Sequence, residues 1–355
     1  MKPQPKMRYA GAFAVLLALL AVLFVWNVNS GSLHLSVREV AQILLTHSGD
    51  NAVIVWEIRL PRTLGAWSAG ALLGLAGAVA QGLFRNPLAD PYLLGSAAGA
   101  SLGVALLLAL LGGAGGMLGA SAGPLLRFSI HSSHWLVRLG LTGAAFVGAV
   151  VAVLLTLALA RGVQHTLRLL LAGVVVGVVL GACTSLLLLF SPDSLQAMQA
   201  FLLGSTSFMG WTACLLLASV WLVCLLAAWA LARALDALAL GEATAHSLGL
   251  PLAPLRMVLI LLLALATGTA VAQTGLIAFV GLAAPHLVRS IVRVTHERHI
   301  VLSSLMGAVL LLAADILARW VLAPQELPVG VLTAALGGTY LLWLMHRRTS
   351  HGGAL

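Results

Sequence analysis

Residues 167–190 read LRLLLAGVVVGVVLGACTSLLLLF, an apolar run broken only by Arg168 near its start. A helix needs about 20 such residues to cross about 30 Å of hydrocarbon, so this stretch predicts a membrane span. Nine more runs of similar character lie near 9–28, 63–84, 92–111, 139–160, 211–232, 255–273, 275–294, 301–322 and 329–346. The run at 275–294 follows its predecessor after Thr274 alone, and Gly275, Gly281 and Pro285 predict that it is broken or short. The first run follows Lys2, Lys6 and Arg8. It exceeds a typical signal-peptide core, and Val28-Asn29-Ser30 is a poor cleavage sequence, so a retained span is expected. The fold class that follows is an all-α polytopic membrane protein of about ten transmembrane helices.

Composition supports this. Of the 355 residues 61% are hydrophobic and only 8% charged, whereas a soluble surface is about a quarter to a third Asp, Glu, Lys and Arg. Soluble globular, disordered and disulfide-rich secreted classes are excluded. Cys183, Cys214 and Cys224 lie in apolar runs without metal-ligand spacing and read as small core residues. Lysine occurs only at positions 2 and 6, and no Gly-Lys pair exists to build a phosphate-cradling loop. Nucleotide energy therefore has to come from a separate subunit.

Arginine and lysine set the orientation. With ten spans, 13 of them fall on the side of the termini and 6 on the other. Both termini are then cytoplasmic. The connection 29–62 carries an amphipathic stretch from Val37 to Leu45, and 112–138 opens Gly-rich, which predicts mobility. The longest inner loop, 233–254, predicts short helical turns from Ala237 to Leu248, stopped at Gly249 and Pro251.

Several patterns have ordinary readings. Gly70 and Gly74, Gly95, Gly99 and Gly103, and Gly173, Gly177 and Gly181 recur at four-residue spacing, which predicts close helix packing. Gly99-Ala-Ser-Leu-Gly103 and Gly119-Ala-Ser-Ala-Gly123 match a nucleophile elbow in letters, but not in the strand–turn–helix context it needs. His296-Glu-Arg-His299 lacks the i, i+4 zinc spacing and reads as a solvated loop. No carboxylate sits mid-span; Asp315 and Arg319, four apart, can pair near an outer helix end. An ion-coupled secondary transporter thus lacks its usual parts. Neither catalytic nor metal-ligating residues are expected.

Two places invite function. Residues 81–91, QGLFRNPLADP, form a turn with two prolines in which Asn86 and Asp90 can bond the backbone. Arg59 and Arg62, with Arg319, lie on the outer side against the charge trend, which fits either a docking surface for an acidic partner or interfacial snorkelling.

RLPRTL (59–64), GAVAQGLFRNPLADP (77–91), LLG (93–95), LLLAG (169–173), LGEATAHSLG (240–249), GLIAFVGLAAPHLVR (275–289) and PVGVLTAALGG (328–338) closely resemble the type II ABC importer permeases for iron–siderophores, haem and cobalamin. The resemblance spans roughly 55–346, in family order. It implies one transmembrane permease domain over 1–355, working as a homodimer in the bacterial inner membrane. Two cytoplasmic ATPase subunits would use ATP and Mg, no cofactor being bound by this chain, and a periplasmic binding protein would deliver the ligand. A ferric siderophore is the expected cargo, with haem or cobalamin the alternatives. Residue by residue, Leu240, Gly241, Glu242, Ala245, His246, Leu248 and Gly249 would form the ATPase-coupling loop. Arg59, Arg62 and Arg319 would pair with glutamates of the binding protein, so that reversing the charge of Arg59 and Arg62 is expected to abolish uptake and leave protein in the membrane. Asn86, Leu88, His165 and Thr166 would form the cytoplasmic gate, His165 standing where small hydroxyl residues are usual.

Overall fold

The computed structural model describes residues 5–31, 33, 35–112, 135–160, 166–207 and 209–349. His165, Arg127, most of the Gly-rich 112–138 connection and the second serine pattern lie outside them. Fourteen helices and no strand form among the described residues. Lipid offers no partner for backbone N–H and C=O groups, so helices that satisfy their own are the viable spans here.

Ten helices match the ten apolar runs. They are α1 (Pro5–Asn29), α3 (Leu60–Leu83), α4 (Ser96–Gly112), α5 (Trp135–Leu159), α6 (Thr166–Phe190), α8 (Trp211–Ala230), α11 (Leu252–Thr274), α12 (Val280–Ile291), α13 (His296–Trp320) and α14 (Val329–Thr349). Seven are long and apolar enough to cross a membrane, α3 together with the π-helical turn Ile54–Arg59 that precedes it. The amphipathic stretch becomes α2 (Val37–Thr46), capped by Ser36, whose side chain accepts from the Glu39 N–H at 3.2 Å. Short helices α7 (Leu195–Leu203), α9 (Ala232–Ala239) and α10 (Glu242–Ser247) complete the chain.

α3 is the hub. It is buried along almost its whole length and packs against α8, α11, α12 and α13. Small residues allow this: a Cβ on Gly70 or Gly74 would strike the carbonyl oxygens of Gly307 or Ser303 in α13, and one on Gly77 that of Gly281 in α12. Gly99 and Gly103 likewise meet the backbone of Gly148 and Ala144 in α5, and Ser101 simply bonds the Ala97 carbonyl at 3.0 Å. Gly77→Ala is expected to destabilise the protein by about 1–3 kcal/mol, read as a lower unfolding temperature in detergent. Gly143→Ala, with nothing within 4 Å of the added carbon, should leave that temperature unchanged; equal effects would refute the packing argument.

α12 is short, as its glycines and proline predicted. Before it, residues 275–279 are not helical. Part of this backbone bonds to the surrounding protein: Leu276 N–H donates to Phe201 O at 3.1 Å, the Tyr92 hydroxyl to Ile277 O at 3.2 Å, and at its edge Ser205 N–H donates to Thr274 O at 2.8 Å. Gly275 makes the turn at φ 68°, where an added Cβ would strike the Phe201 carbonyl.

Candidate functional site

At the inner end, α9 lays Leu235 and Leu238 into the core, and the chain then turns at Gly241 (φ 112°) into α10. Ala245 is fully buried, while Leu240, His246 and Leu248 are exposed. Gly249, at φ 76°, closes the turn by donating to His246 O at 2.9 Å. The unit thus has an anchored side and an exposed side on which Leu240 and Leu248 stand among the polar Thr244, His246 and Ser247. Glu242 starts α10 and holds two arginines: its Oε1 accepts from Arg85 at 3.1 Å and lies 2.6 Å from Arg256. Arg256 is buried near the start of α11, and Arg85 adjoins Asn86. One carboxylate therefore ties the predicted coupling residues to the predicted gate turn.

In that turn Asn86 Oδ1 accepts from the Leu88 N–H at 2.9 Å, and Asn86 N–H donates to Gln81 O at 3.2 Å. Asn86 is exposed and Leu88 half-buried. Thr166 is the first residue of α6. Asp90 Oδ1 accepts from the Tyr92 N–H at 2.8 Å. Burial pushes the Asp90 carboxyl up to about 6, against the lowering pull of that N–H. An acid whose folded pKa lies above its ordinary 3.8 binds its proton more tightly when folded. The contribution of Asp90 to stability is then greatest below pH about 4 and is lost as pH rises through about 6. Asp90→Asn should flatten the unfolding temperature across this window and stabilise the protein at pH 7 by on the order of 1–3 kcal/mol. An unchanged pH profile would refute the assignment.

The outer arginines are arranged otherwise than expected. Arg59 and Arg62 are only 5% and 7% exposed, and all three are engaged internally. Asp315, fully buried in α13, accepts from Arg62 Nη2 at 2.9 Å, Arg319 Nη2 at 2.8 Å, Asn27 Nδ2 at 3.0 Å and the Thr206 hydroxyl. Arg62 Nη1 also forks onto both oxygens of Glu326 at 3.0 Å, and Glu326 accepts from Ser207 at 2.8 Å. Arg59 donates to the carbonyls of Val28, Asn29 and Leu33, and Arg319 to those of Asn27 and Ser30. All three cations are thus partnered within the protein: a carboxylate at the centre and carbonyls around it replace the water that buried guanidiniums lose. The Asp315–Arg319 pair forms as its spacing indicated. Two carboxylates against three guanidiniums leave one surplus positive charge, at Arg59, which has no acidic partner in the network. Reversing Arg62 would place a new carboxylate beside Asp315 and Glu326, so that half of the double reversal is expected to cost folded protein, whereas Arg59 contacts only carbonyls.

Asn27, Thr206, Glu326, Arg85 and Arg256 were missed. Asn27 could have been suspected as a polar residue at the end of an apolar run, but its bond to Asp315 spans 288 positions. His296-Glu-Arg-His299 is the first turn of α13 rather than a solvated loop, and His299 is buried. Among the described residues no group of three His, Cys, Asp or Glu is placed to hold a metal ion.

The sequence matches the FecCD transport family over residues 19–347. It is 38% identical over 338 residues to the hemin transport system permease protein HmuU of Yersinia pestis, covering 94% of each chain. It is 38% identical over 304 residues to the vitamin B12 import system permease protein BtuC of Salmonella paratyphi A, covering 84% of this chain and 85% of the relative. A solved structure described as an inward-facing metal-chelate type ABC transporter is similar at a TM-score of 0.77 and 28% identity, covering 95% of this chain and 99% of that one.

Proposed function

The chain belongs to the FecCD transport family and is an ABC importer permease, a multi-pass membrane protein; from that premise we propose that it passes a metal chelate from periplasm to cytoplasm across a bacterial inner membrane. Haem stands ahead of a ferric siderophore and of cobalamin. The observation that carries this is the likeness to a hemin permease along 94% of both chains.

Two separate cytoplasmic ATPases, using ATP and Mg, drive the step, and a periplasmic binding protein delivers the cargo. Two copies of the permease flank the path. Supporting the pair, α6 and α14 present glycines at 177, 181 and 338 with nothing within 4 Å of an added Cβ, flat places where a second backbone can approach. The ATPases engage Leu240, His246 and Leu248. Their closure moves α10, and Glu242 passes the displacement through Arg85 to the gate at Asn86 and Leu88, completed by His165 and Thr166. The binding protein docks over the Arg59, Arg62 and Arg319 network, where the surplus positive charge favours an acidic partner. Its carboxylate reaches Arg62 by displacing Glu326, the more exposed of the two acids there.

Reconstitution with the cognate ATPase and binding protein tests the reading. ATP-dependent uptake of haem into vesicles is expected, lost when the ATPase phosphate-binding lysine is replaced and surviving an uncoupler. Uptake of a ferric siderophore alone would reassign the cargo; uptake abolished by the uncoupler and indifferent to the ATPase would overturn the mechanism.

A further inference from the structure

Where the inner ends of α3, α12 and α13 meet lies a cavity of about 610 Å³. Arg85, Arg289, Arg293, His286, His296 and His299 line it, and neither Asp nor Glu does. Two of these groups are answered by carboxylates outside the lining, Arg85 by Glu242 at 3.1 Å and His296 by Asp236 at 2.7 Å. Among the described residues, neither Arg289 nor Arg293 has an ion-pair partner. His299, only 3% exposed, has an Nε2 with no hydrogen-bond partner among the described groups. A buried polar atom left so is costly unless a ligand completes it.

Size and place narrow the ligand. The cavity is far larger than one oxyanion needs and falls in the about 300–1,000 Å³ range of small-molecule sites. Arg293 and Ser290 at its rim are exposed, and three helix ends place it at the membrane–water boundary. Basic pockets between helix ends at this level suit phosphate headgroups, and guanidinium forks match phosphate oxygens.

We propose that this cavity is a binding site for a phosphate group carried on a larger molecule, held by Arg289 and Arg293 with His299 donating from within. The site is independent of which chelate is carried. The phosphate comes either from a phospholipid headgroup or from a soluble phosphate compound.

The full chain, purified and delipidated in detergent, distinguishes these. Inorganic pyrophosphate, compared with chloride at equal ionic strength, should raise the unfolding temperature saturably. Arg289→Gln with Arg293→Gln should weaken the apparent affinity at least ten-fold. Arg293→Gln alone, at the exposed rim, should fold normally and show a smaller loss, which keeps the test intact should the double variant not fold. In native mass spectrometry, retention of phosphatidylglycerol over phosphatidylcholine by the native chain but not by the variants assigns the phosphate to lipid. A pyrophosphate effect without selective lipid retention assigns it to a soluble compound. No saturable response to either probe, or equal responses in native and variant chains, overturns the proposal.

Discussion

Asp315→Ala is expected to destabilise the folded protein by about 3–5 kcal/mol and to sharply reduce the amount recovered from membranes. The carboxylate is fully buried and accepts from Arg62, Arg319, Asn27 and Thr206. Its loss leaves two guanidiniums facing each other in a site closed to water, with Asn27 and Thr206 losing an acceptor. Asn27 belongs to α1, Arg62 to α3 and Arg319 to α13, so three helices lose their common tie. Glu326→Gln is the comparison. That acid is 41% exposed in its side chain, where an ion pair contributes about 0–1 kcal/mol. Unfolding temperatures of the two variants in detergent decide the matter. A Glu326 effect equal to or larger than that of Asp315 would refute the central role given to Asp315.

Glu242→Ala is expected to cut uptake at least ten-fold while ATP hydrolysis by the assembled transporter continues. Its carboxylate bridges Arg85 and Arg256, the first beside the proposed gate turn and the second at the base of α11. The Arg85 pair is partly exposed and adds little stability, whereas Arg256 is buried, so uptake is normalised to the amount of folded protein; what is lost is the connection. Arg85→Ala should have the same phenotype, and the double variant should be little worse than either single one, because both remove one link. Paired measurements of uptake and hydrolysis in proteoliposomes check this. Near-normal uptake by Glu242→Ala, or additive losses in the double variant, would refute the connection.

What could be read in the sequence follows from what is local. The ten apolar runs mark their helices because burial in lipid acts on each run separately, and the break before α12 is marked by Gly275. The same holds for α2, capped by Ser36, and for α10, which ends before the predicted stop at Gly249; α9 begins at Ala232, five residues before the predicted helical turns. The buried acid centre was only half legible. Asp315 and Arg319 share one turn of one helix, but Asn27, Arg62, Thr206 and Glu326 come from four other parts of the chain. Arg62 looked available because its acidic partners, Asp315 and Glu326, lie 253 and 264 positions away. Glu242 is expected in the coupling loop on its own sequence motif, yet its partner Arg85 lies 157 positions away.

α12 has a consequence for how the chain is made. Its 12 residues rise about 18 Å, little more than half the hydrocarbon thickness, and just before it Leu276 N–H and Thr274 O bond to α7 and its following loop. Such a segment cannot rest in lipid as a free helix while it leaves the ribosome. It is held instead by surfaces already assembled, the α3 groove at Gly77 and the carbonyl of Phe201, and then closed in by α13. The glycine groove of α3 is thus the surface that receives α12, and a chain ending before α13 would leave the other side of that half-span uncovered.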